Sequence, residues 1–212
     1  FDVVRNLVTS LRQALQPDSR ALTSVDDFVE YHHNYVLYTW VVQSLSTTLR
    51  AVRKVNQLYH AWESTTGGTN VVAGLSDKES IFFDRARLVK ISGTLAKQFL
   101  HYSQHIDFLA QRTGMYPAWG TQDGEDRPLV VVSSKQFEAV TPAWVEGQLA
   151  GRGVPLPANF HRGFLRTELL ERGCRAEVVD AFLGHARAGE SPFARHSTYD
   201  FGLHIAQLDE AL

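Results

Sequence analysis

Apolar residues recur at helical spacing in the first part of the chain. Steps of three or four positions predict an amphipathic helix over residues 1–16, with apolar positions at Val4, Leu7, Val8, Leu11 and Leu15. Pro17 ends this pattern, because proline removes a helical hydrogen bond and clashes with the preceding turn. A second helix is predicted from Ser24, where Asp27 three residues later completes a capping-box-like pair. Its aromatic and apolar residues occupy several faces, which predicts a largely buried helix.

Further helical patterns follow along the chain. They cover residues 49–62, 94–112, 142–150, 158–172, 176–187 and 200–211. Gly173 lies where a helix C-cap is expected, since glycine readily adopts the left-handed conformation found there.

The pattern changes to strand-like spacing in two places. Residues 70–75 and 85–91 are predicted as strands, the second because apolar and basic residues alternate along it. Residues 76–80, with the sequence SDKES, are predicted as the hairpin turn between them. Residues 128–132 are predicted as a further short strand or extended segment. The expected fold is therefore mainly α with a small antiparallel β-sheet (α+β), in a single domain over residues 1–212.

Composition narrows the class of protein. The chain has 212 residues, 44% hydrophobic and 21% charged, which is typical of a folded globular domain rather than a disordered segment. Cys174 is the only cysteine, so an internal disulfide is excluded and a reducing, cytoplasmic compartment is favoured. The longest mostly apolar run, 36–42, is shorter than a membrane span. The formal net charge of −2 lacks the basic excess typical of nucleic-acid-binding proteins.

Candidate chemistry is concentrated in residues 159–200. Arg162 is followed by Leu169-Leu170, by Gly173 eleven residues later, and by Leu183-Gly184-His185, with the histidine twenty-three residues after the arginine. Tyr199 comes fourteen residues after His185. This order resembles the C-terminal box of the tyrosine recombinases, the phage-integrase family.

Upstream residues extend the resemblance over about residues 45–200. Thr48-Leu49-Arg50 is similar to the family's first arginine motif. SDKES, with Lys78, matches the hairpin that carries a lysine in the family, and the following Arg87-Leu88-Val89 matches its second strand. The resemblance implies a tyrosine-recombinase-like catalytic domain, with Arg50, Lys78, Arg162, His185 and Tyr199 as catalytic residues.

The residue types suit the chemistry that the resemblance implies. Two guanidinium groups, of Arg50 and Arg162, can grip the non-bridging oxygens of a phosphodiester without a metal. Tyr199 would be the nucleophile that forms a 3′-phosphotyrosyl link. Lys78 would protonate the leaving 5′-hydroxyl, and His185 would bind the phosphate or move the proton of the nucleophile. The implied function is site-specific DNA recombination or integration, as in mobile elements.

The chain departs from the family pattern around two of these residues. Asn159 stands three residues before Arg162, where the family usually has histidine, and His161 directly precedes the arginine. Either side chain is a candidate auxiliary residue. The interval from His185 to Tyr199 is longer than usual, and a shorter loop would bring His196 to the place of the nucleophile. The chain would then be a catalytically inactive DNA-binding relative.

The resemblance also implies partners. The expected partner is double-stranded DNA, bound by a homotetramer that is nucleoid-associated when on DNA. Candidate DNA contacts are Arg53, Lys54, Arg166 and Arg87, with Arg166 also a candidate ion-pair partner of nearby acids. No metal, nucleotide cofactor or membrane is expected, and the family's N-terminal DNA-clamping domain has no counterpart in the chain.

Alternatives remain open at the level of sequence. A type IB topoisomerase uses the same chemistry, and a helical protein–protein module would match the motif by accident. The other histidines point to little chemistry. His101 and His105 are four residues apart on a helix and are interpreted as a solvated face rather than a metal site, while His32-His33 is interpreted as structural.

Overall fold

The structure, a computed structural model, consists of helices interrupted by two short antiparallel hairpins. The elements are α1 (Asp2–Ala14), α2 (Val25–Thr47), β1 (Val72–Ser76), β2 (Ala86–Lys90), α3 (Gly93–Thr113), β3 (Val130–Ser133), β4 (Gln136–Ala139), α4 (Pro142–Gly151), α5 (Phe160–Glu171) and α6 (Ala176–Phe182). The residues described are 2–16, 24–47, 72–76, 86–90, 92–114, 129–133, 136–154, 157 and 160–183, with β1 and β2 described as backbone. The mainly α fold with small antiparallel sheets is confirmed.

Helix α2 begins as the sequence predicts. The Ser24 hydroxyl accepts a hydrogen bond from the Asp27 backbone N–H (3.1 Å), and the Asp27 carboxylate accepts one from the Ser24 backbone N–H (2.9 Å). This reciprocal pair is a capping box with aspartate in place of the usual glutamate. It satisfies N–H groups that the first helical turn leaves without partners.

Helix α2 is the centre of the main hydrophobic core. Helices α1 and α3 and strand β3 pack against it, and α5 contacts it as well. Val36, Leu37, Trp40 and Val41 are buried on it together with polar residues such as Gln43. Because neighbouring elements surround the helix, apolar residues lie on several of its faces and it has no single polar stripe.

The β1–β2 hairpin is confirmed. Ser76, the first residue of SDKES, belongs to β1 and pairs with Ala86 in the antiparallel register. The other predicted turn residues, 77–80, lie outside the described part of the chain. A second hairpin, β3–β4, pairs Val131 with Glu138. Strand β4 was not predicted from the sequence, because the alternation in Gln136–Ala139 covers only four residues, too few to indicate a strand, and the strand is mostly exposed.

Helices α5 and α6 form a second, smaller core. Leu169 of α5 packs with Val179 and Phe182 of α6 and with Leu183. The turn between the helices depends on Gly173, whose φ of 82° lies in the left-handed region. The predicted C-cap is therefore confirmed. Helix α6 ends at Phe182, short of the predicted end at residue 187, and residues 184–212 lie outside the described part of the chain.

Candidate functional site

Arg162 is held in the interior at the point where α5 meets the end of α6. Its side chain lies in the first turn of α5 and the residue is only 8% exposed. The guanidinium donates a hydrogen bond from Nη2 to the carbonyl oxygen of Leu183. Leu183 is the C-cap of α6, where exposed helical carbonyls carry partial negative charge that favours a cation. Arg162 therefore contacts the first residue of the Leu183-Gly184-His185 triplet.

Strand β2 lies next to the same helix. Helix α6 packs against β2, and β2 pairs with β1. The candidate DNA-binding residue Arg87 belongs to β2, opposite Leu75 in the register. The second arginine motif, the end of α6 and the hairpin are thus neighbours.

Arg166 lies one turn after Arg162 on α5. Its Nε atom is 3.8 Å from Oδ1 of Asp180 on α6, and both side chains are substantially exposed. The ion-pair interpretation of this residue is confirmed. An exposed pair of this kind stabilises a fold only weakly, so its side chains can exchange partners at low cost.

His161 faces the interior rather than the surface. It is fully buried, with its ring edge-on to the indole of Trp40 at a centroid distance of 6.2 Å and to Phe160 at 6.1 Å. These contacts join α5 to α2. The ring thus lies among aromatic side chains on the α2 side of the helix.

The remaining candidates lie outside the described residues. They are Arg50, Lys78, His185 and Tyr199 among the catalytic candidates, Asn159 and His196 among the auxiliary ones, and Arg53 and Lys54 among the DNA contacts. Their positions in the chain relative to described elements are known from sequence: Arg50 follows the end of α2 by three residues, Lys78 follows β1 by two, and His185 follows Leu183 by two.

A second group of chemically capable side chains lies between α2, α3 and the β3–β4 hairpin. Nδ1 of His32 is 3.1 Å from Nε2 of His105, and we call these two residues the histidine pair. The rings are stacked at 5.3 Å, and the phenol ring of Tyr35 stacks on His105 at 4.4 Å with an interplanar angle of 11°. Phe137 of β4 lies edge-on to His32 at 6.0 Å.

Burial keeps both histidines of the pair neutral. Removal from water, together with the neighbouring His105 and His33, lowers the pKa of His32 to about 3, although the Val130 carbonyl acts in the opposite direction. Burial lowers the pKa of His105 to about 4. A positive charge on either ring would be poorly solvated, and two cationic rings in contact would repel each other, so the pair resists protonation.

This contact was not predicted from the sequence, which places His105 on a solvated face with His101. The structure exposes His101 but packs His105 against Tyr31 and Tyr35. The spacing of four places both histidines within one helical turn, so periodicity alone does not separate them. The aromatic residues Tyr31 and Tyr35 of α2 were the sequence signal that could have indicated a packed environment for His105. His32 is buried, as the structural interpretation expected.

The described residues contain no group of three or more histidine, cysteine, aspartate or glutamate side chains arranged to hold a metal ion. Within the same residues, no helix has the length and apolar character needed to cross a membrane. Comparisons with protein-family models, curated proteins and solved structures find no match to this chain.

Proposed function

We propose that the chain is a tyrosine-recombinase-like enzyme that cleaves and rejoins DNA. The hydroxyl of Tyr199 attacks a backbone phosphorus, forming a 3′-phosphotyrosyl bond as the bond to the 5′-oxygen breaks. Lys78 donates a proton to the departing 5′-oxygen, and His185 accepts the proton of the tyrosine. Arg50 and Arg162 bind the non-bridging oxygens and stabilise the negative charge that develops in the transition state. Attack by a 5′-hydroxyl of a second strand reverses these steps and joins new partners.

The hydrogen bond between Arg162 and the Leu183 carbonyl carries the proposal. These two residues belong to separate helices, twenty-one positions apart, and the resemblance assigns both to one catalytic box. An arginine buried to this extent costs free energy unless polar groups satisfy it. The contact therefore holds the guanidinium at Leu183, the residue that directly precedes Gly184-His185 in the sequence. A motif that matched by accident would not require such a contact.

The packing of the neighbouring elements supports the proposal. Helix α6 packs against β2, and Lys78 lies in the sequence between the paired strands β1 and β2. A flexible lysine is suited to protonate a leaving oxygen. Helix α2, which precedes Arg50, touches α5 through Trp40 and His161.

The test is a covalent trapping assay in EDTA. A nicked DNA substrate releases a short fragment after cleavage, so the phosphotyrosyl adduct accumulates and survives denaturation. The proposal predicts an adduct with the unmodified chain and none with Tyr199→Phe. His196→Ala is the matched control and retains the adduct.

Other results identify the alternatives. DNA retarded in a gel without any adduct supports the inactive DNA-binding relative, and an adduct lost only in His196→Ala removes Tyr199 from its assigned role. If the chain forms the adduct and relaxes supercoiled DNA but never joins strands from two substrates, the result supports a topoisomerase. If neither an adduct nor retarded DNA is observed, the proposal is contradicted.

A further inference from the structure

Strand β3 has a free edge opposite the one that pairs with β4. The Val140 backbone N–H donates to the Leu129 carbonyl (2.8 Å), which makes these two residues a hydrogen-bonded pair. Hydrogen-bonded and non-bonded pairs alternate along an antiparallel ladder. Val130 and Val132, each opposite a residue of β4 in the register, therefore direct their backbone groups away from β4.

Side chains from the two long helices cover this edge. The Val130 N–H donates to the Tyr102 hydroxyl of α3 (2.8 Å), and Nε2 of His33 on α2 lies 3.2 Å from the Val132 carbonyl oxygen. The Val130 carbonyl also attracts the His32 ring. Exposed edges of sheets recruit other strands, so these contacts both fix the hairpin and protect its edge.

The contacts also select one tautomer for each histidine. A carbonyl accepts hydrogen bonds only, so His33 carries its proton on Nε2. Nδ1 of His32 faces His105, which leaves Nε2 of His32 to carry the proton. Nδ1 of His32 is then the acceptor, and Nε2–H of His105 is the donor. A second proton on Nδ1 of His32 would set two N–H groups against each other across 3.1 Å.

We propose that His32, His33 and His105 form an acid-sensitive latch that fastens the β3–β4 hairpin to helices α2 and α3. In the neutral state Nε2–H of His33 points at the Val132 carbonyl, and Nε2–H of His105 points at Nδ1 of His32. Protonation of the histidine pair removes the acceptor between the helices and places positive charge in the interior. The hairpin then separates from the helices before the α5–α6 core unfolds.

The surroundings provide little to offset that charge. From α2, the titratable neighbours are His33, Tyr31 and Tyr35; from α3, the neighbour is His105 itself; β3 contributes the Val130 carbonyl and β4 contributes Phe137. Burial raises the pKa of Tyr35 to about 12 and raises that of Tyr31, so both phenols stay neutral. Among these groups, only the Val130 carbonyl favours a positively charged His32 ring.

The sign of the pH effect follows from the lowered pKa values. An unfolded histidine titrates near 6.5, whereas in the folded chain His105 titrates at about 4 and His32 at about 3. Between these limits the unfolded state binds more protons, so stability is complete above pH 6.5 and falls as the pH drops toward the folded values. Each histidine lowers the folding equilibrium constant by up to about tenfold per pH unit in this window.

Hydrogen exchange on the whole chain tests the latch. Protection factors for amides of residues 129–133 and 136–140 are compared with those of α5 at about pH 7 and about pH 5. The expected result is a loss of hairpin protection of about tenfold or more on acidification, with a smaller loss in α5. His105→Phe keeps a ring against Tyr35 and should reduce the hairpin loss, while the control His101→Phe, on the exposed side of α3, should not.

A uniform loss across hairpin and α5, or an unchanged pH response in a folded His105→Phe, would overturn the proposal. Nitrogen-15 NMR of the unmodified chain gives a second test that does not depend on a variant folding. The proposal expects Nε2–H tautomers for all three histidines, and His32 and His105 still neutral near pH 5.5, about one unit below the ordinary pKa of histidine. An Nδ1–H tautomer at His33, or ordinary titration of the pair, would contradict it.

Discussion

At the scale of single residues, the placement of Arg162 is the feature that links sequence to chemistry. Its guanidinium is nearly buried and donates to the Leu183 carbonyl at the end of α6. A lysine offers a compact ammonium group without the planar fork of arginine and is not an equivalent replacement at such a site. Arg166, one turn along, makes only an exposed ion pair with Asp180. The two arginines therefore form a matched comparison.

Arg162→Lys is expected to destabilise the fold by about 1–3 kcal/mol, because a buried carbonyl loses its donor. Under the proposed function it also abolishes the phosphotyrosyl adduct. Arg166→Lys should change the free energy of unfolding by less than about 0.5 kcal/mol and leave adduct formation measurable. Urea unfolding and the trapping assay give both quantities. Equal effects of the two substitutions would contradict the different roles assigned to Arg162 and Arg166.

At the scale of elements, helix ends and turns are where local chemistry decides the structure. The Ser24–Asp27 capping box starts α2, and Gly173 ends α5 with a left-handed residue. The backbone N–H of Cys174 then bonds the Leu169 carbonyl, which closes the helix end. These features have direct sequence signals and were predicted.

Ser24→Ala is expected to cost about 1 kcal/mol of stability, because the first turn of α2 loses a side-chain acceptor. Ser10→Ala, at an exposed position within α1, serves as the control and should be close to neutral, since alanine is favourable inside a helix. Thermal unfolding of both variants measures the difference. A smaller loss for Ser24→Ala than for Ser10→Ala would contradict the capping role.

Gly173→Ala is expected to destabilise the α5–α6 turn by about 1 kcal/mol, because φ is 82° and alanine is strained there. Gly163→Ala, inside α5 with open space around it, should be neutral or stabilising. Chemical denaturation measures both variants. Destabilisation of the Gly163 variant alone would show that left-handed geometry is not the relevant property.

Other elements lie beyond what sequence periodicity determines. Strand β4 has four residues and is mostly exposed, so its own pattern is too short to indicate the pairing with β3. The contact of His105 with His32 joins residues seventy-three positions apart, and no local rule specifies it. The order of Arg162 and Leu183 was visible in the sequence, whereas their hydrogen bond required the packing of α5 on α6.

At the scale of the whole molecule, the net charge limits the ways in which the proposed DNA binding can occur. The chain carries a formal net charge of −2, so general attraction to DNA is weak and the proposed contact relies on a local group of cations. The candidates are Arg50, Arg53, Lys54, Lys78, Arg87, Arg162 and Arg166.

The salt dependence of DNA binding follows from this number of cations. Each neutralised phosphate contributes about −0.9 to the slope of log Kobs against log salt. Seven contacts give a slope no steeper than about −6.3 for each bound chain. Fluorescence anisotropy over a salt series measures it. A much steeper slope would mean that DNA binds through cations other than those named.

The most direct measurement of the central claim is an experimental structure of the chain bound to a DNA site. We predict that the side chains of Arg50, Lys78, Arg162, His185 and Tyr199 gather around one backbone phosphate within hydrogen-bonding reach. Their dispersal by more than roughly 15 Å, with DNA bound elsewhere, would contradict it, because groups so far apart cannot act on one phosphate.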